Sequence, residues 1–231
     1  FGNENLYSLS GKIEAFPKLK GVKKMEKGDE KVSQMLSYIM NTNQPHTVAQ
    51  VLGWTMACFL KQHVFAVNNE FPLLSFNGPP GSGKTTTAGV FAALHGVDYF
   101  LENSPSNLPT ATNFIVWKYI SGSNSVPRLF EEFNKSKMQA KFYDLLTESF
   151  KSCWNQHSVQ RGSIKNDKMH GTSQIGAHVT NIPMTGPVIL CSEQAIETPS
   201  LVERTIQIKL SQEDRKAAEY ETSCEFVKAR V

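Results

Sequence analysis

The sequence predicts an α/β fold in which a parallel sheet lies between two layers of helices. Short apolar runs bounded by turn residues alternate along the chain with segments of helical periodicity, which is typical of such sheets. A glycine-rich loop joins the first apolar run, at 72–76, to a predicted helix at 86–94. The 231 residues, 40% of them hydrophobic and 19% charged, suffice for one core of this kind and a smaller appendage.

The residues before the first strand predict a small helical segment that follows a lysine-rich connector. Residues 1–30 contain lysines and glycines without a helical pattern, which is typical of a solvated connector or of a backbone contact to nucleic acid. From Glu30 onward apolar residues recur at helical spacing up to Ile39, and a second helix is predicted with Thr47 as its N-cap. The chain is therefore divided into this N-terminal segment (1–70), an α/β core (71–212) and a C-terminal helix (213–231).

Three further strands and two helices complete the predicted core. The strands are expected at 126–130, 187–191 and 205–210, and the helices at 106–119 and 137–154. Because helices separate consecutive strands, we expect the strands to run parallel with helices on both faces.

Charge, cysteines and hydropathy limit the class of protein. The net charge of +3 is compatible with a nucleic-acid partner without requiring one. The four cysteines lack the spacing of zinc sites or disulfide frameworks, so we expect small core residues and a reducing, cytoplasmic location. No apolar run approaches the roughly 20 residues that span a bilayer, and we expect a soluble protein without a membrane partner. The start at Phe1 and the end at Val231 suggest a fragment of a longer polypeptide.

The loop after the first strand predicts a bound nucleoside triphosphate. It reads GPPGSGKT from Gly78 to Thr85, which fits the Walker A spacing between a strand and a helix. Backbone N–H groups of such a loop close around phosphates, Lys84 reaches the β- and γ-phosphates, and the Thr85 hydroxyl binds Mg²⁺. ATP and Mg²⁺ are therefore the expected cofactors. The predicted nucleotide contacts are Gly78, Pro79, Pro80, Gly81, Ser82, Gly83, Lys84, Thr85 and Thr86.

Two consecutive carboxylates, Glu131 and Glu132, directly follow the predicted strand at 126–130. Hydrolysis of ATP needs a carboxylate that supports the metal ion and a group that polarises the attacking water. We therefore expect Glu131 to support Mg²⁺ and Glu132 to act as the general base. The alternative is a solvated strand end without a chemical role.

Two further positions are candidates for contacts to the γ-phosphate. The strand at 187–191 is followed by Ser192 and Glu193, whose polar groups could detect hydrolysis, although many strands end in polar residues. Arg204 lies just before the last predicted strand. It is either a surface charge or a cation that stabilises the γ-phosphate of a neighbouring subunit.

The segment 160–171 combines cationic residues with two glycines and an Asn-Asp pair. It predicts a hairpin tipped with Lys165 and Lys168, whose ammonium groups would contact nucleic-acid phosphates independently of sequence. The predicted DNA contacts are Arg161, Lys165, Lys168 and His170. The alternative is an exposed loop.

Taken together, these motifs resemble the helicase ATPase domain of virus, phage and plasmid replication proteins, which comprise superfamily 3 and the related primase-associated helicases of the AAA+ class of P-loop NTPases. The resemblance covers about residues 45–212 and depends on GPPGSGKT, LFEEFN, ILCSEQ and ETPSLVERTIQI in combination. It implies that Ser192 is the sensor, with Glu193 as its neighbour, that Arg204 is an arginine finger acting on the adjacent subunit, and that a DNA-binding hairpin spans 162–178. The sequence departs from the family at Ser192, where asparagine is usual, and at Glu131, where aspartate is commoner.

The expected function is an ATP-hydrolysing DNA helicase or translocase module of a primase-helicase type replication protein. The resemblance implies a ring, expected to be a hexamer, that acts on single-stranded or forked DNA. It also implies a primase or polymerase domain on the same polypeptide and, for a phage or viral protein, the cytoplasm of the host cell. Two alternatives stay open. One is a nucleotide-switched DNA-loading or assembly ATPase, and the other is a P-loop kinase, which would need an arginine-rich lid that the sequence does not show.

Overall fold

The computed structural model describes residues 37–96, 107–169, 172–213 and 225, with side chains for all of these except 163–178. The lysine-rich connector, His170, Cys224 and most of the predicted C-terminal helix lie outside the described residues. No helix within the described part of the chain is long and apolar enough to cross a membrane.

The described residues form a four-stranded parallel sheet and a separate two-stranded hairpin. The strands are β1 (Leu73–Asn77), β2 (Arg128–Glu131), β3 (Ser158–Met169), β4 (Thr172–Pro183), β5 (Val188–Ser192) and β6 (Thr205–Lys209). The sheet has the order β2-β5-β1-β6, and β3 pairs with β4 in the antiparallel hairpin. The predicted parallel α/β fold is therefore confirmed.

Six helices that lie wholly within the described ranges accompany these strands. They are α1 (Pro45–Phe59), α2 (Lys61–Asn68), α3 (Lys84–Ala92), α4 (Asn113–Ile120), α5 (Ala140–Trp154) and the single turn α6 (Pro199–Val202). Residues 37–40 are also helical, and Ile39 of this segment is fully buried.

The side chains of the sheet alternate between two hydrophobic clusters because successive strand residues point to opposite faces. On β1, Leu74 and Phe76 pack with α1 and α3, whereas Leu73 packs with α4 and α5. On β5, Ile189 belongs to the first cluster and Leu190 to the second. Helices therefore cover both faces of the sheet, as the sequence predicts, and all five residues of β1 are buried.

Several predicted boundaries move because of proline or local extended backbone. Helix α1 begins at Pro45, with Gln44 in the N-cap position, so the predicted cap at Thr47 is wrong. Proline at the first helical position costs no hydrogen bond and already has a helical φ angle. The predicted helix at 106–119 is a short 3₁₀ turn at Leu108–Thr110 followed by α4, because Ala111 is extended between them.

Lys61, the first residue of α2, is buried in the interior. Its side chain has 1% exposure, and its Nζ donates a hydrogen bond to the carbonyl oxygen of Thr185, just before β5. Burial lowers the pKa of Lys61 to about 8, and burial raises the pKa of the nearby Cys153 thiol to about 12. Cys58, Cys153 and Cys191 are all buried free thiols, which agrees with the expected core role.

Candidate active site

Three strands end together beside the glycine-rich loop. In the parallel register, Asn77 at the end of β1 pairs with Ser192, and Glu131 at the end of β2 pairs with Cys191. The carboxyl ends of parallel strands lie at one edge of a sheet, where ligands of such folds commonly bind. The structure therefore brings the loop, the two glutamates and Ser192 to one place.

The loop adopts backbone angles that favour glycine. Gly78, Gly81 and Gly83 have φ angles of 153°, 74° and 84°. A Cβ atom at Gly78 would lie 2.1 Å from the carbonyl oxygen of Leu210, so only glycine fits against the end of β6. Gly83 is the N-cap of α3, and the N-terminus of this helix therefore opens toward the loop, where it favours an anion.

Lys84 lies folded into the loop. Its Nζ donates hydrogen bonds to the carbonyl oxygens of Gly78 and Pro79, both at 2.8 Å, and approaches Ser82 Oγ at 3.4 Å. The ammonium group of Lys84 is therefore bound by the backbone carbonyl groups of the loop itself. Thr85, the next residue, is exposed in the first turn of α3.

Lys84 and Glu131 act on the same buried thiol. Burial raises the pKa of Cys191, the Glu131 carboxylate raises it further, and the Lys84 ammonium group opposes both effects. Glu131 is the strand-pair partner of Cys191, and Lys84 follows the loop that leaves β1 beside β5. The predicted phosphate ligand and the predicted metal-supporting carboxylate are thus near each other.

The residues at this edge fit a magnesium ion. The hydroxyl of Thr85 and the carboxylate of Glu131 are hard oxygen donors, and Mg²⁺ in nucleotide sites takes one or two protein ligands with phosphate oxygens and water. No cluster of three or more histidine, cysteine, aspartate or glutamate side chains that could hold a metal lies within the described residues.

Glu132 forms an ion pair that the sequence analysis missed. Lys137 Nζ lies 2.6 Å from Glu132 Oε2 and 3.5 Å from Glu193 Oε1. The hydrogen bond to Glu132 raises the pKa of Lys137. The only sequence signal is a lysine five residues after the glutamate, which would predict a contact only if the intervening chain were known to turn back.

That turn is fixed by its own hydrogen bonds. Glu132 has a φ angle of 59°, its carbonyl oxygen accepts from Asn134 N at 2.7 Å, and Asn134 O accepts from Lys137 N at 3.1 Å. The Asn134 side chain accepts from the backbone and the hydroxyl of Ser136 at 3.0 and 2.8 Å. This bonding replaces the first turn of the helix predicted from 137, and α5 begins at Ala140 instead.

Ser192 and Glu193 differ in their surroundings. Ser192 is buried, and its Oγ accepts a hydrogen bond from Gln194 N at 3.2 Å. Glu193 is exposed and faces Lys137. The sensor role expected for Ser192 stays a prediction, since its hydroxyl is bonded to its own loop.

Arg204 lies at the amino ends of the strands, whereas the glycine-rich loop lies at their carboxyl ends. Its carbonyl oxygen accepts from Leu73 N at 2.9 Å, at the start of β1, and its Nη1 donates to Ser200 O at 2.5 Å. Four strand steps separate Leu73 from Asn77, which is about 13 Å. The guanidinium group is therefore remote from the glycine-rich loop of its own chain.

The predicted hairpin is present but longer than expected. Lys165 pairs with Gly176 and Lys168 with Ser173, and the pairing continues to Met169 and Thr172. Both lysines lie within β3, where Lys168 is in the last pair but one before the tip, as predicted, and Lys165 lies three pairs further from it. The guanidinium carbon of Arg161 lies 4.1 Å from the centre of the Phe114 ring on α4, so this residue packs the base of the hairpin against the core.

The fold resembles that of a solved helicase over most of the chain. The SCCmec type IV protein Cch, an active helicase, superposes with a TM-score of 0.58 and 18% identity over 93% of this chain and 36% of its own. A JCV helicase bound to a small molecule superposes with a TM-score of 0.45 and 15% identity over 88% of this chain and 52% of its own. The chain thus spans about a third to a half of these proteins. No family profile and no curated protein matches the sequence.

Proposed function

We propose that the chain is an ATP-hydrolysing DNA helicase or translocase module that works in a ring. The observation that carries the proposal is that the loop of Lys84, which follows β1, and the Glu131–Glu132 pair at the end of β2 lie at the same end of one parallel sheet, on either side of β5. A phosphate loop next to two carboxylates is the arrangement that ATP hydrolysis requires. The fold shared with Cch, an active helicase, supports the same class of enzyme.

In this proposal each residue has one role in the hydrolysis of ATP to ADP and phosphate. The loop from Gly78 to Thr86 encloses the phosphates, and Lys84 exchanges its carbonyl partners for the β- and γ-phosphate oxygens. Thr85 and Glu131 hold Mg²⁺, which neutralises phosphate charge when bound. Glu132 orients a water molecule and accepts its proton as the oxygen attacks the γ-phosphorus.

Arg204 requires a second subunit in this proposal. It lies at the edge opposite its own loop, so it can stabilise γ-phosphate charge only at the site of a neighbour. A contact between unlike surfaces of identical chains closes into a ring when the rotation permits. A hexamer is the ring expected from the resemblance.

The β3–β4 hairpin is the proposed DNA contact. Its strands carry Lys165 and Lys168, and twelve paired residues on each side give it the length to extend beyond the sheet. Lysine contacts to phosphates are independent of base sequence, and single-stranded or forked DNA is the partner that the resemblance implies. A primase or polymerase domain on the same polypeptide and a cytoplasmic location belong to the same proposal.

One observation favours a second candidate, a nucleotide-switched DNA-loading or assembly ATPase. Glu132 is held in an ion pair with Lys137, which is compatible with slow turnover that gates binding. The discriminating measurement is steady-state ATP hydrolysis with and without single-stranded DNA, together with the mass of the particle in solution. A helicase module is expected to show strong stimulation by DNA, whereas slow turnover indifferent to DNA would favour the switch.

The variant that tests the phosphate-binding loop is Lys84→Ala. Removing the ammonium group deletes charge-assisted hydrogen bonds worth about 1.5–3 kcal/mol each, so nucleotide affinity or turnover should fall by at least about tenfold. Full ATP hydrolysis by Lys84→Ala would overturn the assignment of the loop and with it the proposed function.

A further inference from the structure

The chain that leaves β6 lies against the glycine-rich loop at two points. Leu210 N donates to Asn77 O at 2.8 Å, and the carbonyl oxygen of Leu210 occupies the space beside Gly78. Two residues later, Gln212 Nε2 donates to the carbonyl oxygen of Pro80 at 2.9 Å. Gln212 has no part in the reaction proposed above, yet its side-chain amide is bonded to the loop that is expected to enclose the phosphates.

The part of the loop that Gln212 contacts is a tight turn from Pro79 to Ser82. Ser82 N donates to Pro79 O at 3.3 Å, which closes the turn, and Gly81 at its third position has a φ angle of 74°. Proline at the second position and a glycine with positive φ at the third are the features of a type II turn. A type I turn differs from it in the orientation of the central peptide, which here joins Pro80 to Gly81. The direction of this one peptide therefore distinguishes the two turns.

We propose that Gln212 is a positioning residue that keeps the peptide between Pro80 and Gly81 in the orientation that binds phosphate. The inference rests on the proposed ATPase function and adds a residue to its phosphate site. In a trans peptide the C=O and N–H groups point in opposite directions. Because the carbonyl oxygen of Pro80 faces Gln212, the N–H group of Gly81 faces away from it, and the proposed phosphate lies on that side.

The direction of this peptide matters because the first half of the loop has few donors. Pro79 and Pro80 have no N–H group, so Gly81 supplies the first N–H group after that of Gly78. If the peptide rotates, a carbonyl oxygen takes the place of this donor and repels an anion. The hydrogen bond from Gln212 opposes the rotation, and one neutral hydrogen bond changes such an equilibrium by about 2- to 13-fold.

The test measures the Kd of ATP, ADP and inorganic tripolyphosphate for wild type, Gln212→Met and Gln212→Glu. Gln212→Met keeps the length of the side chain without its donor, so each Kd should rise by about 2- to 13-fold while kcat at saturating ATP stays unchanged. Gln212→Glu places an acceptor against the carbonyl oxygen of Pro80 and should weaken binding at least as much. Gln50→Met, at an exposed position of α1, is the matched control and should bind like wild type. Melting temperatures of the variants confirm that folded proteins are compared.

The outcomes separate this inference from the proposed function. Wild-type protein that binds neither ATP nor tripolyphosphate would overturn the proposed function itself. If wild type binds both but Gln212→Met leaves the Kd values unchanged, only the role of Gln212 is overturned. Weaker binding of ATP without weaker binding of tripolyphosphate would also overturn that role, because Gln212 would then act on the base or the sugar. An equal loss in Gln50→Met would do the same, since the effect would not be local to the loop.

Discussion

Substituting Gly78 by alanine should destabilise the fold strongly, because the loop and the end of β6 meet at this residue. Leu210 N donates to Asn77 O at 2.8 Å, which brings the carbonyl oxygen of Leu210 to 2.1 Å from the position of an added Cβ atom. That atom is backbone and cannot rotate away. The φ angle of 153° adds strain for any residue with a side chain.

The two costs can be added for an estimate. A backbone angle in this region costs about 1–3 kcal/mol. Forcing an extra methyl group into packed surroundings costs about 1–3 kcal/mol more. The free energy of unfolding should therefore fall by about 2–6 kcal/mol, and the melting temperature by on the order of 10 °C for a chain of this length.

Urea titration of the unfolding equilibrium measures this change, and Gly53→Ala is the matched control. Gly53 lies exposed within α1, and no atom lies within 4 Å of its added Cβ. The control should gain about 0.5–1 kcal/mol from helix propensity. A Gly78→Ala protein within about 1 kcal/mol of wild type would refute the packing argument, because a clash with backbone cannot be relieved so cheaply.

Three further predictions concern the base, the second subunit and the buried lysine. Glu132→Gln should bind ATP while turnover falls by about 10²–10⁴-fold, and near-normal turnover would place the general base elsewhere. Glu132→Gln and Arg204→Ala, each inactive alone, should recover activity when mixed. In an equal mixture about one quarter of the sites combine an intact Glu132 with an intact Arg204, and the absence of rescue would count against a shared site. Between about pH 8 and pH 10.5 the unfolded chain protonates Lys61 while the fold keeps it neutral, so Lys61 contributes a stability that rises with pH, whereas the buried thiols of Cys58, Cys153 and Cys191, whose pKa values burial raises, contribute one that falls. In urea titrations the free energy of unfolding of wild type minus that of Lys61→Met should increase with pH across this window, and a difference that does not change with pH would contradict the buried amine as the cause.

The sequence predicted the elements whose signals are local. Complete apolar runs and the spacing of GPPGSGKT located β1, β5 and the loop between β1 and α3 because those signals depend only on neighbouring residues. The fold class followed from the order of these elements. Helix starts were less accurate, since Thr47 is a favourable cap by residue type but Pro45 begins the helix.

The features that the sequence did not predict depend on contacts across the fold. The ion pair of Lys137 with two carboxylates needs both the turn at Asn134 and the pairing of β2 with β5. The packing of Arg161 on Phe114 joins residues that are far apart in the chain, so it could not be distinguished from a solvent-exposed cation. The end of the hairpin depended on strand register, which no local turn signal fixed.

The distance between Arg204 and the glycine-rich loop has a kinetic consequence under the proposed function. One chain carries half of two different sites, because its arginine and its phosphate loop face opposite edges of the sheet. Catalysis by an isolated chain is then incomplete, and the activity per chain must increase with protein concentration until assembly saturates. Dilution alone, without any substitution, would switch the enzyme off.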